Sequence, residues 1–132
     1  MPFIILVLLG GCRDQSTPPP KNLEPTVTLS TSSGDKVVNP TNEEIQEALS
    51  TLNVGRDGVG WAILGRSEMT YLQVSGDKTL GFAMEYQEGD VKNHYRATRE
   101  DFLLEEVAQA FSEYRNGTID WSVYGDWDRI RW

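Results

Sequence analysis

The most constraining feature of the sequence is a run of alternating side chains near its middle. Large apolar residues stand at every second position, with small or polar residues between them: Leu80, Phe82, Met84 and Tyr86. This period of two is typical of a β-strand that buries one face and exposes the other. The stretch around it, residues 61–97, predicts an antiparallel meander of four strands, and one face of that meander requires a cover.

The turn that follows this strand sets the register with the next one. A two-residue turn at 88–89 places Phe82 opposite Tyr95 and Glu85 opposite Lys92. Both pairs are chemically compatible, since directly opposed residues of one face pack against each other. The sequence therefore predicts this register.

The turn that precedes the strand stays open between two alternatives. A two-residue loop at Gly76 and Asp77 places Tyr71 opposite Phe82, whereas a three-residue loop places Leu72 there. Because a slip of one residue exchanges the two faces of a strand, the alternatives bury opposite faces.

Two amphipathic helices are expected to flank the meander. Thr41 and Glu44 form a capping box at the start of the first. Its apolar face consists of Ile45, Ala48, Leu49 and Leu52. Thr98 is expected to cap the second, which ends at Asn116 and Gly117. Its apolar stripe consists of Phe102, Leu103, Val107, Ala110, Phe111 and Tyr114. The predicted fold class is therefore α+β: a helix, a four-stranded antiparallel meander and an amphipathic helix that covers it.

The amino-terminal residues carry a compact pattern. An unbroken apolar run, residues 3–9, precedes Gly10, Gly11 and Cys12. This pattern resembles the lipobox of bacterial lipoprotein signal peptides, with Leu9 three residues before the cysteine. The resemblance implies that residues 1–11 are a signal peptide and that Cys12 carries lipid and attaches the protein to a membrane. An apolar span of about twenty residues, as a transmembrane helix requires, is not found in the sequence.

The segment that follows has the composition of a tether. Residues 12–40 are rich in Ser, Thr, Pro, Asn and Gly, and such a composition buries too little apolar surface to offset its ordering entropy. We expect a disordered tether here and a single domain over residues 41–132. A short edge strand from 26–29 with Val37 and Val38 is the alternative. Arg13 after the cysteine resembles the outer-membrane sorting pattern, so the expected location is the bacterial cell envelope, at the outer membrane where a cell has two.

The charge of the chain restricts its partners. The formal net charge is −8 at pH 7. Such a surface repels phosphate backbones, so no nucleic-acid partner is expected, whereas a basic protein partner is compatible with it. Cys12 is the only cysteine, so an internal disulfide is not predicted.

The carboxyl-terminal segment holds three of the four tryptophans: Trp121, Trp127 and Trp132. Alternating apolar positions there indicate a last strand at the sheet edge. The indoles either close the core of a small domain or form a patch for a partner, since Trp, Tyr and Arg dominate protein interfaces. Tyr124 and Trp127, which flank Gly125 on a predicted turn, are the candidate partner-binding residues.

Candidate catalytic and metal-binding residues are sparse. His94 is the only histidine, and the predicted register places it on a solvated polar face near Glu85 and Arg96. No local signature of a nucleophile and histidine accompanies it. Asp126 and Asp128 stand two apart, but no further ligand follows at a recognised spacing. We therefore expect no catalytic residue, metal or cofactor; a small envelope hydrolase built on acidic residues and a structural envelope component are the alternatives.

The order of the elements carries a second resemblance. A meander, an amphipathic helix that ends in Tyr-Arg-Asn-Gly at 114–117, then Trp121 and Trp132, resembles the small immunity proteins of bacterial polymorphic toxin systems. The resemblance implies a stoichiometric protein inhibitor without catalysis, and an acidic surface suits a basic toxin. The sequence thus predicts a lipid-anchored, non-enzymatic binding module.

Overall fold

The computed structural model describes residues 26–57 and 60–132. Within these residues, seven strands and three helices follow one another: β1 Thr28–Thr31, β2 Lys36–Val38, α1 Asn42–Ser50, α2 Val54–Asp57, β3 Trp61–Ser67, β4 Thr70–Asp77, β5 Gly81–Glu88, β6 His94–Ala97, α3 Leu104–Asn116 and β7 Trp127–Arg129. The signal-peptide prediction, Cys12 and the tether up to residue 25 lie outside the described residues.

The seven strands form one antiparallel sheet in the order β2-β1-β3-β4-β5-β6-β7. The predicted α+β class is confirmed, but the sheet is larger than the four-stranded meander. The hairpin of β1 and β2 extends one edge, and β7 extends the other, where the sequence indicated a last strand. Residues 26–40 are thus not a disordered tether: Val27 and Leu29 lie in the core at 2% and 1% exposure, and that burial offsets the ordering of the hairpin.

Helices α1 and α3 pack against each other and cover one face of the sheet. The core between them consists of large, almost fully buried side chains: Leu29, Ile45, Leu49, Leu64, Leu72, Val74, Phe82, Met84, Phe102, Val107 and Phe111. The helix stripe read from the sequence supplies the helical half of this core. Leu103 is an exception, since its side chain is 58% exposed.

Between β5 and β6 the predicted register is wrong by four positions. Glu85 lies opposite Arg96 rather than Lys92. Val91–Asn93 form a 3-10 turn, and the Asp90 carboxylate accepts a hydrogen bond from its backbone at 2.8 Å, so the connection is longer than two residues. Because the shift is an even number of positions, every side chain keeps its predicted face.

The turn between β4 and β5 lies further along the chain than either alternative places it. Leu72 pairs with Tyr86, and the loop consists of residues 78–80. Leu72 and Phe82 therefore share the buried face, as the three-residue alternative requires, although they are not directly opposite. Leu80 belongs to the turn instead of the strand and is 68% exposed.

The predicted start of the first helix is confirmed, whereas the predicted start of the second is wrong. The capping box of Thr41 and Glu44 is confirmed in α1. Thr98, in contrast, does not cap α3, because Phe102 exchanges two backbone hydrogen bonds of 3.0 Å with Phe82 and keeps the preceding chain extended. The helix starts only after this bridge and stops before Gly117, whose φ of 74° is the left-handed conformation expected for a glycine stop.

Candidate interaction surface

The second face of the sheet is opposite the one that α1 and α3 cover, and we call it the open face. Strand pairing arranges its side chains in rows across the sheet, and the two longest rows carry most of its polar groups. One row consists of Thr28, Gly65, Tyr71, Gln87 and His94; the other consists of Ser30, Ile63, Gln73, Glu85, Arg96 and Asp128. Most of these residues keep partial exposure, in contrast to the fully buried residues that alternate with them.

A groove of about 560 Å³ crosses the open face over β1, β3 and β4. Ile63, Tyr71 and Gln73 line it and are partly exposed. Lys36 and Glu68 line the groove as well. The groove therefore combines an apolar and an aromatic side chain with charges of both signs, which is the mixture found at protein interfaces.

His94 is the centre of a hydrogen-bond network on the other half of this face. Its Nδ1 lies 3.0 Å from Oε1 of Gln87, and its Nε2 lies 2.7 Å from Oε1 of Glu85. The Gln87 amide nitrogen donates to the carbonyl of Met69 at 3.2 Å, so the amide oxygen is the atom that faces the imidazole. The Tyr71 hydroxyl donates to this same oxygen at 3.4 Å.

Both ring nitrogens of His94 thus lie within hydrogen-bond distance of oxygen atoms on β5. Together with the Tyr71 hydroxyl on β4, these contacts link strands β4, β5 and β6 through their side chains. Burial raises the pKa of Tyr71, and the charge of Glu85 raises it further, which keeps its hydroxyl a donor.

The prediction that His94 lies on a solvated face is wrong. The residue is 3% exposed, because the rings of Tyr71 and Trp132 pack edge-on against it at centroid distances of 6.1 and 5.3 Å. Its neighbours Glu85 and Arg96 are as expected. Arg96 bridges Glu85 and Glu100 at 3.3 and 3.0 Å, and this links the network to the solvent.

Tyr124, one of the two predicted partner-binding residues, lies in the core. It is 6% exposed, and its hydroxyl donates to Glu113 at 2.7 Å. Burial and this hydrogen bond raise its pKa. Its segment, Trp121–Tyr124, is a 3-10 turn rather than the strand that alternation suggested. The ring of Tyr124 is therefore not displayed to solvent.

Trp127, the second predicted residue, is half-buried in an aromatic cluster at the end of the covered face. Its indole nitrogen donates to the carbonyl of Trp121 at 2.8 Å. The ring of Trp121 stacks on Tyr86 at 3.7 Å, and Tyr86 stacks on Tyr95 at 5.1 Å. Burial, with smaller contributions from Glu88 and Tyr95, raises the pKa of Tyr86 to about 12. The structure places these indoles mainly in packing, and it does not bring Trp127 and Tyr124 together on a surface.

Two chemical features are not found in residues 26–57 and 60–132. No three His, Cys, Asp or Glu side chains are grouped there to hold a metal ion. No helix in this part combines the length and the apolar character needed to cross a bilayer.

Comparison of the chain with protein-family models, with curated proteins and with solved structures finds no match.

Sequence reasoning did not single out Tyr71 and Gln87 as members of the network. Alternation along β5 already put Gln87 on the same face as Glu85, and this was the one available signal. Their contact with His94 depends on the longer connection between β5 and β6. No local sequence motif predicted the length of this connection.

Proposed function

We propose that this protein is a lipid-anchored component of the bacterial cell envelope that acts as a non-enzymatic binding module. It engages a protein partner through the open face of its sheet. The observation that supports this most is the groove over β1, β3 and β4, where Ile63 and Tyr71 are partly exposed beside Lys36 and Glu68.

The open face is suited to binding because hydrogen bonds already order two of its charged side chains, Glu85 and Arg96. Glu85 accepts hydrogen bonds from His94 and Arg96. The side chains of Glu85 and Arg96 therefore lose little conformational entropy when a partner docks. Ordering of flexible side chains is one of the main costs of association. Tyr and Arg are also the residue types that contribute most at interface hot spots.

The chemistry of the partner follows from charge. A chain of net charge −8 attracts a basic protein and accelerates their encounter. A basic toxin is such a partner, and the resemblance to immunity proteins favours an inhibitor that blocks it stoichiometrically. The gene for this toxin is then expected beside the gene for this chain.

The anchor is tested separately at Cys12, the single cysteine of the chain. Cys12→Ser is expected to abolish labelling by a radioactive fatty acid and to release the protein from the membrane fraction. Retention of the label in the variant would disprove attachment at this residue.

The docking surface is tested with two identical substitutions on opposite sides of the domain. Gln73→Lys alters the open face, and Gln46→Lys alters the exposed side of α1. The experiment purifies the product of the neighbouring gene and measures its affinity for each variant by calorimetry. Gln73→Lys is expected to weaken binding about tenfold or more, which corresponds to roughly 1.4 kcal/mol.

The matched variant decides the interpretation. Gln46→Lys adds the same charge and is expected to change the affinity less than twofold. Equal losses in the two variants would show that net charge alone governs binding and would exclude the open face as the docking surface. Hydrolysis of an envelope polymer by the purified wild-type protein would contradict the non-enzymatic proposal as a whole.

A further inference from the structure

A second surface lies where β7 ends beside the 3-10 turn Val91–Asn93, and we call it the basic corner. It encloses a cleft of about 370 Å³. Six residues line this cleft: Val91, Lys92, Arg129, Ile130, Arg131 and Trp132. Each is either cationic or apolar, which sets the corner apart from the acidic composition of the chain as a whole.

Hydrogen bonds to the backbone hold this corner in place. The indole nitrogen of Trp132 donates to the carbonyl of Val91 at 3.0 Å, and the guanidinium of Arg129 donates to the carbonyl of Lys92 at 2.8 Å. The Ile130 amide donates to the β6 backbone at 2.8 Å. Trp132 nevertheless stays 80% exposed and Val91 44% exposed, so an oriented indole and an aliphatic side chain face the solvent together.

The carboxylates in the described residues leave the cations of the basic corner without a counter-charge. Within the described part of the chain, Lys92, Arg129 and Arg131 form no ion pair. The nearby Asp90 carboxylate accepts the Lys92 amide of its own turn. Asp128 lies opposite Arg96 on the open face, so strand alternation directs it away from Arg129.

We propose that the basic corner contacts the anionic headgroups of a lipid bilayer. Cations next to an exposed indole match the interface of a membrane, where amphipathic tryptophan rings and basic side chains are favoured. An acidic protein segment is the competing occupant. It fits less well, because a strand added to the free edge of β7 would run beside the exposed carboxylates of Asp126 and Asp128.

The contact also orients the domain. The formal net charge of the chain is −8, so an anionic bilayer attracts the basic corner more than it attracts the domain as a whole. This inference does not require lipid at Cys12, and its test removes that lipid.

The test uses full-length protein with Cys12→Ser and measures sedimentation with two kinds of vesicle, phosphatidylcholine alone and phosphatidylcholine mixed with phosphatidylglycerol. Binding is expected to the mixed vesicles and to fall as salt is added. Adding Lys92→Glu and Arg131→Glu is expected to weaken it about tenfold or more, given that each basic residue contributes roughly 1 kcal/mol near an anionic surface.

A control pair makes the same change of charge elsewhere. Lys36→Glu and Lys78→Glu, both exposed and remote from the basic corner, are expected to weaken vesicle binding less than threefold. Equal losses from the two pairs, equal binding to both vesicle types, or no vesicle binding would each overturn the inference. Binding of the corner to a polyglutamate peptide but not to vesicles would assign it to an acidic protein instead.

Discussion

Replacing Gly76 with alanine perturbs the hairpin that aligns β4 with β5. Gly76 has a φ of 127°, and its amide donates to the carbonyl of Gly60 at 2.9 Å. A Cβ atom added here would lie 2.1 Å from the carbonyl oxygen of Gly81 and 3.1 Å from Cα of Phe82. Both obstacles are backbone of the paired strand, so no side chain can rotate away to make room.

The expected cost has two parts. Holding alanine in a conformation that only glycine adopts readily costs about 1–3 kcal/mol. The collision requires β5 to move by roughly 1 Å in a tightly packed sheet, and overpacking of this kind costs about 1–3 kcal/mol. The sum, about 2–6 kcal/mol, is a large share of the roughly 5–15 kcal/mol that stabilises a typical domain.

Urea denaturation followed by tryptophan fluorescence measures this loss. With a denaturant slope of about 1–3 kcal/mol per molar, the midpoint of Gly76→Ala is expected to fall by roughly 2 M. Gly34→Ala is the matched control. Gly34 also has positive φ, 97°, but a Cβ there would meet nothing within 4 Å. Its cost is expected to be limited to about 1–2 kcal/mol of backbone strain.

The difference between the two variants isolates the collision with Gly81. If Gly76→Ala is no less stable than Gly34→Ala, the close approach of β4 and β5 at this hairpin is wrong, and the register of the two strands is wrong with it.

Three further outcomes follow from the same structure. The Asp77 carboxylate accepts hydrogen bonds from the backbone amides at 80, 54 and 79, which lower its pKa. The Asp77 carboxylate therefore stabilises the fold above about pH 4, and this contribution is lost as the pH falls through the lowered pKa. Asp77→Asn should flatten the dependence of the urea midpoint on pH in that acid range. An unchanged slope would refute the role of these hydrogen bonds. Gln87→Leu removes the hydrogen-bond partner of the buried His94 Nδ1 and should cost about 1–3 kcal/mol in urea denaturation, whereas Gln73→Leu, at a partly exposed position on the same face, should stay within about 0.5 kcal/mol. Trp127→Ala should lower the melting temperature of the isolated protein, at up to the roughly 3–5 kcal/mol of a core tryptophan; an unchanged melting temperature would return Trp127 to the candidates for partner binding.

The predictions that succeeded concern local chemistry. The capping box of Thr41 and Glu44 depends on residues three apart, and Gly117 stops α3 through its own backbone freedom. The alternation of Phe82 and Met84 gave the buried face of β5 without reference to any other strand. Each of these features is decided within one or two turns of chain, so a single sequence carries it.

The predictions that failed depend on contacts between distant residues. The bridge from Phe102 to Phe82 delays the start of α3, although Thr98 is an acceptable cap on local grounds. Residues 26–40 have the composition of a tether, yet Val27 and Leu29 belong to the buried core, and Leu29 pairs with Leu64 of β3.

The candidate surfaces likewise depend in part on local sequence and in part on contacts between distant residues. Alternation along β5 and β6 determined which of their side chains share the open face, because the parity of a strand is a local property, whereas the sequence left the face of β4 open between two alternatives. Tertiary structure decided that His94 is buried there between Glu85 and Gln87, and that Lys92 and Trp132 meet at the basic corner. Those contacts depend on the length of the connection before β6 and on where β7 docks, and both are settled by the packing free energy of the whole sheet rather than by any residue alone.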